Sequence, residues 1–154
     1  MGLFRKTRII AAGKFDVLHA GHIKYLEDAK RLGGRRSELI VIIARDSTIE
    51  KSRGSPPVFP EDQRLIIVQS LKPVDKAILG YENTDKYQII FDLKPDIIAL
   101  GYDQPTNENE LDKALKARKI NAKIIRLKKW GNDNYAKSSR IRERVINIEK
   151  KNHK

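Results

Sequence analysis

Arg8-Ile9-Ile10-Ala11-Ala12-Gly13-Lys14-Phe15-Asp16-Val17-Leu18-His19-Ala20-Gly21-His22 reads as a strand, a glycine-marked turn and two histidines at the mouth of a helix. Small and β-branched apolar residues make 8–12 a buried strand, and Gly13 permits a sharp exit. Ile23, Leu26, Ala29 and Leu32 supply the apolar stripe of the helix that follows. His19 and His22 therefore fall in the connector and the first helical turn, three residues apart and on one face. At a helix N-terminus they lie beside backbone N–H groups without helical partners and the positive end of the dipole, a setting that suits an anion and above all a phosphate.

Outward from this stretch the chain keeps alternating. Gly33-Gly34-Arg35-Arg36-Ser37 ends the first helix, and Glu38 to Ala44 is a continuous apolar run typical of a strand covered on both faces. A crossover of this length predicts a parallel pair. Residues 45–60, with Gly54, Pro56, Pro57 and Pro60 among charges, predict a long functional loop. Pro60-Glu61-Asp62-Gln63-Arg64 opens a second helix, continued by Leu65, Ile66, Val68, Gln69 and Leu71. Val74 to Leu79 is a third strand, 83–93 a third helix, Ile97 to Leu100 a fourth strand, 108–119 a fourth helix and Ala122 to Leu127 a fifth strand. Lys128 to Lys137 is a loop, and a last helix starts near Ser138 with Ile141, Val145 and Ile148 on its buried face.

Five strands alternating with five helices predict one doubly wound, Rossmann-like α/β domain over residues 1–154 with a five-stranded parallel sheet and a basic tail from about 150. Such sheets bind ligands beyond the carboxyl ends of their strands, where the strand order reverses. Segments carrying His19 and His22, Lys51 and Arg53, Tyr102 and Asp103, and Lys137 to Arg142 should converge on one cleft.

Composition narrows the class. A length of 154 residues suffices for one core, and the absence of cysteine excludes disulfides and thiolate metal sites. The longest apolar run, Leu39 to Ala44, is far short of the roughly 20 residues of a membrane span. Residues 1–6 hold no signal-like apolar core, so a soluble cytoplasmic protein with no membrane partner is expected. The formal charge of +12 is uneven: residues 117–154 carry 13 basic and 3 acidic side chains, whereas 75–116 carry 5 and 9. Nucleic acid, an acidic membrane surface and phosphorylated small molecules would each suit that end, as would a solvated basic helix face with a disordered tail.

Neither a phosphate-loop pattern nor Gly-x-Gly-x-x-Gly occurs. A zinc site from His19, His22 and Asp16 would have no other histidine nearby in sequence than His153 at the tail. The stretch from Gly13 to His22 instead resembles the signature of the nucleotidylyltransferase superfamily, Gly-Thr-Phe-Asp-x-x-His-x-Gly-His, departing only where Lys14 replaces threonine. The superfamily's second signature, Ile-Ser-Ser-Thr-x-x-Arg, is partly matched by Ala136-Lys137-Ser138-Ser139-Arg140-Ile141-Arg142. Connecting segments such as Glu61-Asp62-Gln63-Arg64 and Leu93 to Gln104 look most like the archaeal FAD synthases, although this chain has none of the cysteines common near the end of those enzymes.

The resemblance implies transfer of a nucleoside monophosphate from a triphosphate to a phosphorylated acceptor with release of pyrophosphate. ATP and FMN giving FAD are the substrates expected, with Mg²⁺ or another divalent cation held mainly by substrate phosphates. It implies His19, His22, Lys14 and Arg142 as catalytic groups. It also implies nucleotide contacts at Gly13, Phe15, Asp16, Gly21, Gly101, Asp103, Ser138 and Ser139, and acceptor contacts at Lys14, Lys51, Arg53 and Arg64. Ser138 or Ser139 as a helix cap and Asp103 as a loop cap are the plain alternatives. CTP with glycerol 3-phosphate or a related alcohol is the alternative substrate pair. A non-enzymatic nucleic-acid-binding domain is the alternative class, disfavoured because Trp130 and Tyr135 are the only aromatics in the basic segment. Dimers are common among such enzymes, so a homodimer fits, and no interface is legible.

Overall fold

Consecutive residues of the first strand are buried against opposite sides of a sheet, and that alternation sets the layers of the molecule. The computed structural model describes residues 5–82, 85–131 and 137–152. The strands are β1 (Thr7–Gly13), β2 (Ser37–Ile43), β3 (Lys76–Leu79), β4 (Ile97–Leu100) and β5 (Lys123–Arg126). The helices are α1 (Ala20–Leu32), α2 (Asp46–Arg53), α3 (Glu61–Gln69), α4 (Gln88–Leu93), α5 (Glu108–Ala117) and α6 (Ser138–Asn152), with a short 3₁₀ turn at Gly34–Arg36.

All four strand pairings are parallel, and the order is β3-β2-β1-β4-β5. Ile9 and Ala11 face a core with Leu26, Ala29, Leu39, Val41, Ile43 and Val68, beneath α1 and α3. Ile10 packs with Ile42 and Ile89, and Ile98 and Leu100 with Phe91, Leu111 and Leu115, so α4 and α5 cover the other face. The expected doubly wound α/β architecture with five parallel strands is present.

Three expectations change. The segment 45–60 is not all loop: α2 occupies Asp46–Arg53, raising the described helices to six. Its one buried residue is Ile49, too little apolar signal for a periodicity to register. Its ends are nevertheless marked, by Asp46 in the first turn and by Gly54 at φ 77 as the left-handed cap. Asp46 and Glu61 also cap each other's helices, Glu61 accepting from the Asp46 N–H at 2.8 Å and Asp46 from the Glu61 N–H at 3.3 Å. Second, α4 starts at Gln88; residues 83 and 84, expected to open it, lie outside the described residues. Third, the predicted apolar face of α6 is not buried, with Val145 55% and Ile148 46% exposed. This helix meets the rest of the fold through its first turns, where Ser138 Oγ donates to the Val17 carbonyl at 2.9 Å. It runs helical through Asn152, so residues 150–152 are not a disordered tail. No described helix is long and apolar enough to cross a membrane.

Candidate active site

From β1 the sheet grows through β2 and β3 on one side and through β4 and β5 on the other, so the β1–β4 junction is the switch point of the fold. A cleft of about 630 Å³ opens there. Gly13 to Asp16 leave β1 into it, Gly101 to Pro105 leave β4 into it, and the start of α1, Arg53 of α2 and the start of α6 close its sides.

His19 and His22 stack with ring centroids 3.8 Å apart, and Phe15 lies 5.2 Å from the His22 ring. His22 Nδ1 accepts from the His19 backbone N–H at 3.4 Å, which leaves Nε2 as the protonated nitrogen of the neutral ring. His19 Nδ1 is buried with no hydrogen-bond partner among the described residues, a polar group that a ligand would satisfy. Burial, then repulsion from His19, pushes His22 down to about 3. Burial also lowers His19, partly offset by the charge of Asp103. Both rings are therefore neutral N–H donors in this cleft. The first turn of α1 carries no acidic residue, so no side chain there cancels its positive end.

Asp16 organises the opposite wall. Only 3% exposed, it accepts at Oδ1 from the N–H groups of Val58 (2.6 Å) and Phe59 (3.1 Å), and at Oδ2 from Arg53 (2.8 Å) and Arg142 (3.4 Å). Burial opposes its charge, but the Arg53 hydrogen bond, the two N–H groups and the Arg53 charge hold its carboxyl below the usual range. One buried carboxylate thus aligns arginines from α2 and α6 at the same cleft.

Phe15 has φ 48 and folds its ring back over Gly13, where an added Cβ would lie 2.8 Å and 2.9 Å from two ring carbons. A Gly13→Ala variant is therefore expected to lose about 1–3 kcal/mol of stability, read by urea denaturation, because the buried ring cannot move without opening the core. A loss within experimental error would contradict this packing.

Of the residues singled out from sequence, Gly13, Lys14, Phe15, Asp16, His19, Gly21, His22, Arg53, Gly101, Asp103, Ser138, Ser139 and Arg142 all line the cleft. Two do not. Lys51 is exposed on α2 away from the lining. Arg64 is a correction: it is fully buried, donating to the carbonyls of Phe59 (2.9 Å) and Lys14 (2.6 Å) and to Asp46 Oδ1 (2.6 Å), so its guanidinium has no reach toward an acceptor. Ser138 is also partly committed, its hydroxyl donating to Val17, while Ser139 is exposed at the rim.

Sequence reading passed over Gln104, whose amide accepts from the Gly101 N–H at 2.6 Å and donates to the Ala12 carbonyl at 2.9 Å, stitching the β4 loop to β1. It also passed over Tyr25, whose hydroxyl donates to the Ala99 carbonyl at 2.9 Å beneath the cleft. Tyr25 stands one turn after His22 on the same helix face, a spacing that could have flagged it. Among the described residues no group of three or more His, Cys, Asp or Glu side chains is gathered for a metal ion.

The cytidylyltransferase-like family matches residues 10–144 of this chain. The chain is 46% identical over 145 residues to the FAD synthase of Archaeoglobus profundus, covering 94% of this chain and 89% of that one. It is 51% identical over 121 residues to the FAD synthase of Methanothermus fervidus, covering 79% and 82%. Among solved structures, the lipopolysaccharide core biosynthesis protein of Thermoplasma volcanium superposes with a TM-score of 0.73 at 46% identity, over 80% of this chain and 98% of that one.

Proposed function

The chain belongs to the cytidylyltransferase-like family and is a nucleotidyltransferase, and from that premise we propose that it transfers AMP from ATP to FMN, forming FAD. The observation that carries this reading is the similarity to archaeal FAD synthases along most of both chains. The cleft is consistent with it, since it gathers neutral histidines, an unneutralised helix start and two arginines where phosphates would have to meet.

In the reaction an oxygen of the FMN phosphate attacks the α-phosphorus of ATP. A new P–O bond forms as the α–β bridging P–O bond breaks, and pyrophosphate departs with the bond's electron pair. The nucleophile is already ionised, so no general base is needed and catalysis rests on alignment and charge stabilisation. His22, through Nε2–H, and His19 donate to the transferring phosphoryl group. Arg142 and Ser139 hold the outgoing phosphates, and Ser138 fixes the start of α6 against the turn at Val17. Asp103 is assigned to the nucleoside. Arg53 and Lys14 face the acceptor phosphate.

A divalent cation, magnesium in this reading, would be carried by the triphosphate. The accepting capacity of Asp16 is directed at four donors, so a cation here would be held mainly by substrate phosphate oxygens. When bound it screens the charge that must gather at the α-phosphorus.

Lys14 is exposed at the rim, while its backbone carbonyl is held from below by Arg64. The side chain is thus a flexible cation on a fixed stem. Lys14→Ala should lower kcat/KM by about 10- to 100-fold, the loss of one charged hydrogen bond worth about 1.5–3 kcal/mol. Unchanged rate and affinity would remove Lys14 from the site.

Substrate assignment is tested by pyrophosphate release from ATP and from CTP, each with FMN and with glycerol 3-phosphate. Release only with ATP and FMN is expected. Release only with CTP and glycerol 3-phosphate would establish the alternative pair.

A further inference from the structure

The reaction scheme uses the α1, α2 and α6 sides of the cleft and Asp103 of the β4 loop, and leaves the segment after β5 without a task. Beyond β5 the chain runs Leu127-Lys128-Lys129-Trp130, with Leu127, Lys128 and Trp130 lining the cleft together with Tyr102 from the β4 loop. Trp130 is the one tryptophan of the sequence, yet 46% of it is exposed. The Tyr102 ring has Lys129 Nζ 5.9 Å and Lys137 Nζ 5.8 Å from its centroid. Cations over its face place positive charge at the mouth and engage the ring.

A half-exposed indole in the lining of a cleft that also holds an aliphatic side chain and lysines offers what a flat, anion-bearing heteroaromatic molecule needs. The ring gains an apolar face and the phosphate it carries gains nearby charge. Phosphates are already provided for at the start of α1 and of α6, so the aromatic wall is free to take a ring rather than a phosphate.

We propose that Trp130, which shares the cleft lining with Leu127 and Tyr102, is the stacking residue for the heteroaromatic ring of a substrate, and sets affinity for that ring rather than the rate of phosphoryl chemistry. Two rings qualify, the base of the nucleoside triphosphate and the isoalloxazine of FMN. The second rests on FMN being the acceptor.

Because Trp130 is the sole tryptophan, its fluorescence reports on this wall alone. The wild-type chain is titrated with a non-hydrolysable ATP analogue, with FMN, and with inorganic tripolyphosphate as the ring-free control. A change with the ATP analogue and none with tripolyphosphate supports the proposal with the base as the ring. For FMN the readout is the flavin's own fluorescence, quenched on binding to wild type and recovered with Trp130→Leu, which supports it with the flavin as the ring. In steady state, Trp130→Ala should raise KM for the stacked substrate by about 10- to 100-fold with kcat nearly unchanged, and Trp130→Phe should restore most of the affinity. The proposal is overturned if tripolyphosphate alone reproduces the fluorescence change, if neither ring compound is sensed, or if Trp130→Ala leaves both KM values at wild type. The binding titrations need no turnover, so failure to form FAD would count against the proposed reaction and not against the stacking wall.

Discussion

His22→Ala is expected to lower kcat/KM for nucleotidyl transfer by about 10²- to 10³-fold, the usual cost of removing one preorganised donor to a developing negative charge. In this setting the imidazole can serve as a donor without being a cation. Its Nδ1 is turned to the His19 N–H, and burial keeps the ring neutral until the pH falls to about 3, so Nε2–H is available across the neutral range. His19→Ala should cost a comparable amount. The double variant should cost less than the two losses combined, because rings stacked at 3.8 Å act as a unit. Steady-state kinetics on all three, with circular dichroism to show that the fold is retained, checks this. Full activity in His22→Ala would dismiss the histidine pair from the chemistry.

The same burial has a consequence for stability. Unfolded, His22 binds a proton below its ordinary value of 6.5, whereas in the fold it stays neutral to about 3. The unfolded state therefore binds more protons in that window, and the His22 contribution is present above pH 6.5 and lost as pH falls toward 3. Urea denaturation at pH 7 and pH 5 should show wild type losing stability on acidification, and His22→Gln losing less.

Arg64→Met is expected to be the most damaging single change to the fold, at about 3–5 kcal/mol, because it leaves a carboxylate and two carbonyls without their buried partner. That is a large share of the roughly 5–15 kcal/mol that holds a typical domain together. The guanidinium reaches three acceptors in different directions, at Phe59, Lys14 and Asp46, which a lysine ammonium on a single stem cannot replace. Arg64→Lys should therefore recover little. Since Lys14 is one of the acceptors, the cleft should loosen with the core. Unfolding free energies from urea denaturation within about 1 kcal/mol of wild type would contradict this role for Arg64.

Much of the architecture is legible in the chain because its strands are short apolar runs and its crossovers have helical period. The cleft is legible because Gly13 to His22 and Ser138 to Arg142 each carry a signature, and the switch-point rule predicts that they meet. What escapes is of another kind. Arg64 and Arg53 are both arginines in polar surroundings, and only tertiary packing makes one a buried strut and the other a cleft residue. Asp16 looks like any motif carboxylate until Val58, Phe59 and Arg142 arrive from segments 42, 43 and 126 positions away. The short helix α2 buries one residue, and the apolar spacing of α6 reads as a buried face although Val145 and Ile148 stand about half exposed. Periodicity reports that a face is apolar and leaves open what lies against it.

The central claim is that this cleft joins the α-phosphate of ATP to FMN. Incubation with FMN, Mg²⁺ and ATP labelled at the α-phosphorus, followed by chromatography, tests it most directly. Label in FAD and unlabelled pyrophosphate released in equal amount are expected, both abolished in the His19 and His22 double variant. Label that stays in ATP, or that appears in a product formed without FMN, would contradict it.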